Sequence, residues 1–317
     1  MEKEYVVGID IGGQSAKLGV VDRRGNILAR KVMDTKCYGA QDGQKFIDDL
    51  CDNIREVAKD VTLDAIQGVG VGAPNGNYYT GEIGHAPNLA WAKDTSVPLK
   101  AMIEKNIGLP VTVTNDANAA AIGEMTYGNA KGMKNFIEIT LGTGVGSGIV
   151  INGEVVYGHD GFAGELGHVI AVRDNGRMCG CGRTGCLEAY ASAIGVARTA
   201  REWLEMSDEP STLRDLTEIS SKDVFEAASN GDALAKRVFE FTGKMLGRLF
   251  ADFVAFSAPE AIVVFGGLAR AGELLFEPIR RSYEESALNL WKGKVKILAS
   301  GLKESDAAIL GAGALGW

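Results

Sequence analysis

The stretch from Glu165 to Glu188 holds four metal-type ligands within nineteen residues: His168, Cys179, Cys181 and Cys186. The whole chain has only three histidines and five cysteines, so scarce residue types are concentrated here. One imidazole and three thiolates suit a closed tetrahedral Zn²⁺ site, which needs four soft or borderline ligands and no open position. Inert core thiols are one alternative, but Gly180, Gly182 and Gly185 interleave the cysteines and suit a tight loop better than a packed core. A disulfide is another, although in a reducing compartment clustered cysteines are more often metal ligands. Glu165 and Glu188 bracket the cluster, and zinc does not need them. The loop therefore reads as a metal-tied platform that presents carboxylates to something else. Cys37 and Cys51 stand alone and are read as buried or incidental.

Two more carboxylates sit beside glycine clusters or strand ends. Asp10 closes the apolar run from Tyr5 and is followed by Gly12 and Gly13. A second cluster, Gly142-Thr143-Gly144, follows the apolar run Phe136–Leu141 about 130 residues later. Glycine loops after strands present backbone N–H groups and make natural phosphate cradles. Neither cluster is a Walker loop, and a strand rather than a crossover helix is expected after each, which argues against a dinucleotide fingerprint. Two such loops with an acid on the first suggest a polyphosphate held in a cleft. Asp10 would hold Mg²⁺ through water, or simply cap its turn. Asn115-Asp116 lies between a strand and a helix. Asp116 there can accept a hydroxyl proton during phosphoryl transfer to an alcohol, or can serve as an N-cap. Asn75, Asn77 and Asn88, with Glu165, His168 and Glu188, suit a polyhydroxylated substrate whose hydroxyls both give and take hydrogen bonds.

These residues need a framework, and the chain predicts one twice. Tyr5 to Asp22 reads as strand, glycine turn, strand, with a hairpin at Arg23–Asn26 into a third strand, Ile27–Val32. Phe136 to Gly153 repeats the pattern, so two similar lobes facing each other are expected. Between them the chain alternates in α/β fashion. A helix over Asp42–Asp60 carries Phe46, Ile47, Leu50, Ile54, Val57 and Ala58 on one face. Ile66–Ala73 and Val111–Thr114 read as strands, Val97–Asn106 and Ala117–Met125 as helices. Past the cysteine loop, Leu234–Phe256 is a long amphipathic helix, and Ala261–Phe265 a strand running into Gly266-Gly267. Ser305–Leu315 reads as a helix with Ser305 as its N-cap.

The composition sets outer limits. At 317 residues the chain can form two domains, and 46% hydrophobic content is that of a soluble globular protein. A net charge of −8 without basic runs argues against nucleic acid and anionic membranes as partners. The start Met1-Glu2-Lys3-Glu4 is charged and the apolar run after it is short for a signal peptide, so a cytoplasmic protein is expected. No run approaches the ~20 apolar residues of a membrane span.

Taken together, Asp10-Ile-Gly-Gly, Asn115-Asp116-Ala-Asn-Ala-Ala-Ala, Thr140-Leu-Gly-Thr-Gly-Val-Gly-Ser-Gly, Gly164-Glu-Leu-Gly-His168 and Cys179-Gly-Cys-Gly-Arg-Thr-Gly-Cys-Leu-Glu188 resemble the ROK family (repressor, open reading frame, kinase) of bacterial sugar kinases. The likeness runs nearly end to end. It implies a two-lobed, actin-like (ribonuclease H-like) ATPase fold of α/β class, with sugar and Mg-ATP meeting between the lobes. It also implies a homodimer or dimer of dimers. By the same resemblance, Asp116 is the catalytic base, and Asn88, Asn115, Glu165, His168 and Glu188 contact the sugar. Asp10, Gly12 and Gly13 form the first phosphate motif, Gly142, Thr143 and Gly144 the second, and Gly266-Gly267 the nucleotide-side motif. His168, Cys179, Cys181 and Cys186 are the ligands of a structural zinc, with the second His168 nitrogen facing the sugar. Gln14-Ser15 departs from the family's usual Thr after Gly-Gly, and Asn75 stands where Pro-Gly is common.

The expected lobes are residues 1–117 with 303–317, and 118–302, with hinges near 117–135 and 300–305. The resemblance implies an ATP-dependent glucokinase, since the Cys-x-Cys pattern resembles that of glucose kinases more than the Cys-x-His of the fructokinase branch. An N-acetylglucosamine or N-acetylmannosamine kinase is the rival within the class. A non-catalytic sugar-sensing regulator is the rival outside it. The family's repressors carry an N-terminal DNA-binding domain of some eighty residues, whereas here the first phosphate strand starts at Tyr5.

Overall fold

The structure is a computed structural model that describes residues 3–317; Met1 and Glu2 of the charged start lie outside the described residues. The first half comprises β1 (Tyr5–Ile11), β2 (Ser15–Asp22), β3 (Ile27–Asp34), α1 (Gly43–Val57), β4 (Ile66–Gly72), β5 (Ile83–Gly84), β6 (Ser96–Val97), α2 (Leu99–Ile107), β7 (Val111–Thr114) and α3 (Asp116–Tyr127). The second comprises β8 (Phe136–Leu141), β9 (Val145–Ile151), β10 (Glu154–Val155), α4 (Glu188–Ala191), α5 (Ala193–Met206), α6 (Ser221–Ser229), α7 (Ala233–Ser257), β11 (Ala261–Phe265), α8 (Glu273–Ser286), β12 (Lys296–Ala299) and α9 (Glu304–Ala314).

The repeat expected from the glycine clusters is present in the sheets. One has the order β3-β2-β1-β4-β7, the other β10-β9-β8-β11-β12. In each, three antiparallel strands built from consecutive chain are extended by two parallel ones. The parallel strands need crossover helices, and those helices supply each sheet's outer cover. Phe46, Ile47, Leu50, Ile54 and Val57 of α1 are buried against the first sheet, as their period predicts, and Trp91 stacks on Phe46 with ring centroids 4.2 Å apart. α5 to α8 form the corresponding core on the second sheet.

Two helices fill the space between the sheets. α9 lies on the first sheet so closely that a Cβ on Gly8 or Gly70 would come within 2.1 Å of Ile309 O or 1.8 Å of Ala312 O. Glycine is required there by backbone approach alone. α3 lies on the second sheet, with Ala121 packed among Phe136, Val150 and Val263. The two helices touch each other where a Cβ on Gly123 would meet the Gly311 backbone at 2.8 Å. This stack sets the N-terminus of α3 between the sheets, with Asp116 beside Gly72 of β4 and Ala117 beside Gly146 of β9.

Several expected boundaries move for local reasons. The helix expected at Val97 begins at Leu99, because Val97 pairs with Ile83 in the β5–β6 ribbon and Pro98 precedes the first turn. Asp116, not Ala117, is the first residue of α3. The third strand runs past Val32 to Asp34. Ser305 is not an N-cap: Lys303 holds that position, and the Ser305 hydroxyl donates to the Asp306 carboxylate inside the first turn. Of the two lone thiols, Cys51 is buried and Cys37 exposed. Among the described residues no helix is long and apolar enough to cross a membrane.

One core residue is chemically unexpected. Glu138, on β8, is fully buried, and neither carboxylate oxygen has a hydrogen-bond partner among the described residues. Burial, and then the charge of Glu124, push its carboxyl well above the usual range, which favours the neutral form. An acid whose folded pKa is raised loses stability as pH climbs past its unfolded value, because folding must then carry a proton inside. Glu138→Gln removes that titration. Thermal melts are expected to favour the variant over wild type more at about pH 8 than at about pH 5. An equal difference at both would show that Glu138 titrates as an ordinary carboxyl.

Candidate active site

The candidate site gathers at the N-terminus of α3, where Asp116 is coupled to Asp10 of β1 and to Glu165. Asn115 caps the helix, its side chain accepting from Ala117 N at 2.8 Å, and Asp116 Oδ1 accepts from the same N–H at 2.9 Å. Asp116 sits beside the end of β4, where a Cβ on Gly72 would lie 3.5 Å from its Cα. The side chain is reached by solvent, yet protein crowds it on most sides, and that desolvation raises its carboxyl above the ordinary value. The N–H of Ala117 opposes the shift without cancelling it. Asp10 is raised to about 6, first by burial and then by the charge of Asp116, with Lys17 pulling the other way. The charge of Asp116 thus helps to keep a proton on Asp10, a strain that a hard divalent cation held by Asp10 would relieve.

The first glycine turn is tied by Gly12 N donating to Ser15 O at 2.9 Å and by the Thr35 hydroxyl donating to Gly12 O at 2.8 Å. Asn88 packs on this turn, since a Cβ on Gly13 would meet its carbonyl oxygen at 2.9 Å. In the second turn Gly142 N donates to Gly144 O at 3.0 Å, which leaves Thr143 at the tip. Gly266 follows β11 with φ +104°, and a Cβ there would sit 2.5 Å from Leu141 O. Only glycine allows that crossing of the two strand ends. Gly267 opens the short helical turn after it.

The zinc-type loop closes the other side. The ligand atoms of His168, Cys179, Cys181 and Cys186 all lie within 4.8 Å of one another. Cys181 and Cys186 sulfurs are 3.7 Å apart, and His168 Nδ1 is 3.8 Å from Cys179 Sγ. Zn–S bonds of ~2.3 Å at a tetrahedral angle require sulfurs about 3.8 Å apart, so the cage fits zinc. His168 turns its other nitrogen away from the cage, with Nε2 3.9 Å from Glu165 Oε2. Glu165 is raised above its usual value by desolvation, against the pull of His168 and with the charges of Asp116 and Glu188 adding to it. Those couplings bring the four groups into one neighbourhood.

Glu188 has a second attachment. Its Oε2 accepts from Val145 N at 2.9 Å, directly after the second glycine turn, while Oε1 lies 3.5 Å from Cys179 Sγ. The same carboxylate thus joins the metal loop to the phosphate-type loop. Of the asparagines noted from sequence, Asn75 spends its amide on Gly84 O and His85 O, and Asn77 donates to Asp160 O at 2.6 Å. Both are loop fasteners. Thr35 and Arg177 carry no motif signal, yet both support the site. The Arg177 guanidinium binds Glu202, donates to Thr199 Oγ1 at 2.8 Å and Ala189 O at 3.3 Å, and so backs the turn that carries Glu188.

Comparison with known proteins gives the chain's family. The ROK family model matches residues 6–316. The chain is 38% identical to the glucokinase of Halalkalibacterium halodurans over 320 aligned positions, 99% of this chain and 95% of that one. It is 34% identical to the glucokinase of Thermotoga maritima, over 99% and 98% of the two chains. Among solved structures, a ROK family glucokinase from Streptomyces griseus in complex with glucose and AMPPNP is similar with a TM-score of 0.80, at 34% identity and 98% coverage of both chains. The chain belongs to the ROK family and has its two-lobed, actin-like fold.

Proposed function

We propose that the protein is an ATP-dependent glucokinase, which transfers the γ-phosphoryl group of Mg-ATP to the 6-hydroxyl of glucose. The observation that carries this reading is the position of Asp116. It stands at the start of α3 between the sheets, coupled to Asp10 and to Glu165, which in turn lies by His168 and Glu188. The glucokinases among its relatives, and the glucose and AMPPNP bound in one of them, support the choice of sugar and nucleotide.

In this mechanism Asn88, Asn115, Glu165, His168 and Glu188 hold the sugar hydroxyls and aim one of them at Asp116. Asp116 takes the proton as the sugar oxygen bonds to phosphorus and the bond from phosphorus to the leaving ADP oxygen breaks. Gly13, Thr143 and Gly144 would offer backbone N–H groups to the phosphates, Gly12 and Gly142 close the turns that present them, and Gly266-Gly267 would lie on the nucleotide side. Asp10 would hold Mg²⁺, which supplies neutralisation of phosphate charge when bound. Zinc on His168, Cys179, Cys181 and Cys186 is structural. Residues 1–117 with 303–317 form one lobe and 118–302 the other, closing to keep water from the phosphoryl group. A homodimer or dimer of dimers belongs to the same reading, as does a cytoplasmic location, where thiolate ligands stay reduced.

A coupled ADP-release assay over hexoses and N-acetylhexosamines tests this. Sugar-dependent ADP is expected to be greatest with glucose. A preference for N-acetylglucosamine or N-acetylmannosamine would move the assignment within the class, and background ADP with every sugar would make the protein a sensor.

A further inference from the structure

The chain passes between the sheets twice, outward through α3 and residues 128–135 into β8, and back through 300–303 from β12 into α9. One buried side chain touches both passages. Glu124, on α3, accepts from Asn129 N at 2.8 Å through Oε2, and from Gly301 N at 3.1 Å and the Ser300 hydroxyl through Oε1. Asn129 Nδ2 adds a bond to Ala299 O at 2.9 Å. The junction has no slack, because a Cβ on Gly301 would lie 2.7 Å from Asn129 N. Glu124 is fully buried, and several N–H and O–H donors converge on its carboxylate, which makes these charge-assisted bonds stronger than neutral ones.

Asp116 is the first residue of the same helix, about 12 Å from Glu124 at 1.5 Å per residue. An α-helix is stiff over two turns, so what fixes one end fixes the other. Any closure of the lobes must turn on the two passages that Glu124 joins. We propose that Glu124 is a positioning residue for the general base: it pins α3 to the returning chain, so that the lobes turn about α3 while Asp116 keeps its place between the glycine turns. The kinetic side of this inference rests on the kinase reading, and the pin itself does not.

Glu124→Gln brings an amide NH₂ against backbone donors and breaks the pin, while Ser300→Ala removes one donor. For Glu124→Gln, kcat is expected to fall by about 100-fold, the scale of a 1 Å misplacement, with KM for glucose within about threefold of wild type. Ser300→Ala should show the same split at about tenfold. Amide hydrogen exchange should speed up at Asn129 and Gly301 together in both variants. Wild-type kcat in either folded variant, kcat and KM changing in parallel, or Gly301 keeping its protection would overturn the proposal. If Glu124→Gln does not fold, Ser300→Ala decides alone. If wild type releases no sugar-dependent ADP, the kinase reading fails by itself, and exchange at Asn129 and Gly301 still judges the pin.

Discussion

Asp116→Asn is expected to leave glucose binding nearly intact and to lower kcat by roughly 10²–10⁴-fold, the usual range for a general base. The substitution separates chemistry from architecture because the helix start has two caps. Asn115 already accepts from Ala117 N at 2.8 Å, and the side-chain oxygen of the introduced amide can take over the 2.9 Å bond from the same donor. What disappears is the ability to take a proton. The sign of the pH dependence follows from the raised carboxyl: the base acts only when ionised, so wild-type activity is lost as pH falls through a value above the ordinary carboxylate range. The variant should lose that acid limb. It should also acidify Asp10, which now sits near 6 partly because Asp116 is charged. Kinetics against pH and glucose affinity by calorimetry check the first three, and an NMR titration of the Asp10 carboxyl checks the fourth. Near-wild-type kcat in the variant would move the base elsewhere, with Glu165 the next carboxylate in reach.

What the sequence makes legible here is the chemistry that depends on rare residue types at short spacing. Three cysteines and a histidine within one loop announce a metal, and two strand-glycine-strand units announce paired lobes, because each signal is local. The fasteners of the site are not local. Glu188 reaches Val145 over 43 residues, Asn77 reaches Asp160 over 83, and Glu124 reaches Gly301 over 177. An isolated Glu, Asn or Thr has no pattern to mark it, so Thr35 under the first turn and Arg177 behind Glu188 become visible only when the sheets bring them together. Misplaced boundaries have a different origin. Ser305 has the right type for a cap, but the chain turns one residue pair earlier, and Val97 has a helix-compatible period but a strand partner in Ile83. At Val97, tertiary pairing outweighs propensity.

Removing the zinc should damage sugar binding far more than nucleotide binding. Backbone bonds such as Ala171 N to Gly185 O and Cys179 N to Arg183 O shape the loop from His168 to Cys186, but they do not hold its side chains: the His168 ring meets Cys179 Sγ at 3.8 Å and Glu165 Oε2 at 3.9 Å. Four ligands converging on one ion are therefore what fixes the His168 ring and spaces Glu165 from Glu188. The glycine turns depend on their own sheets, β1–β2 and β8–β9, and survive without the metal. The Glu188–Val145 bond is the loop's direct tie to the second of them, while Ala193 N, which donates to Gly142 O at 2.8 Å, belongs to α5 and stays in place. Cys186→Ala, which deletes a fully buried ligand, should abolish zinc and raise KM for glucose by about 100-fold, the upper range for lost support around a metal. KM for ATP should move by about threefold or less, because a single hydrogen bond is at stake. Metal analysis should find about one zinc per wild-type chain, with Zn–S distances of ~2.3 Å by X-ray absorption. Metal-free protein that keeps the wild-type KM for glucose would show that the loop stands without its ion. An equal loss on both substrates would mean instead that the second lobe unfolds as a whole, and the two outcomes are told apart by whether added Zn²⁺ restores glucose binding to chelated wild-type protein at once.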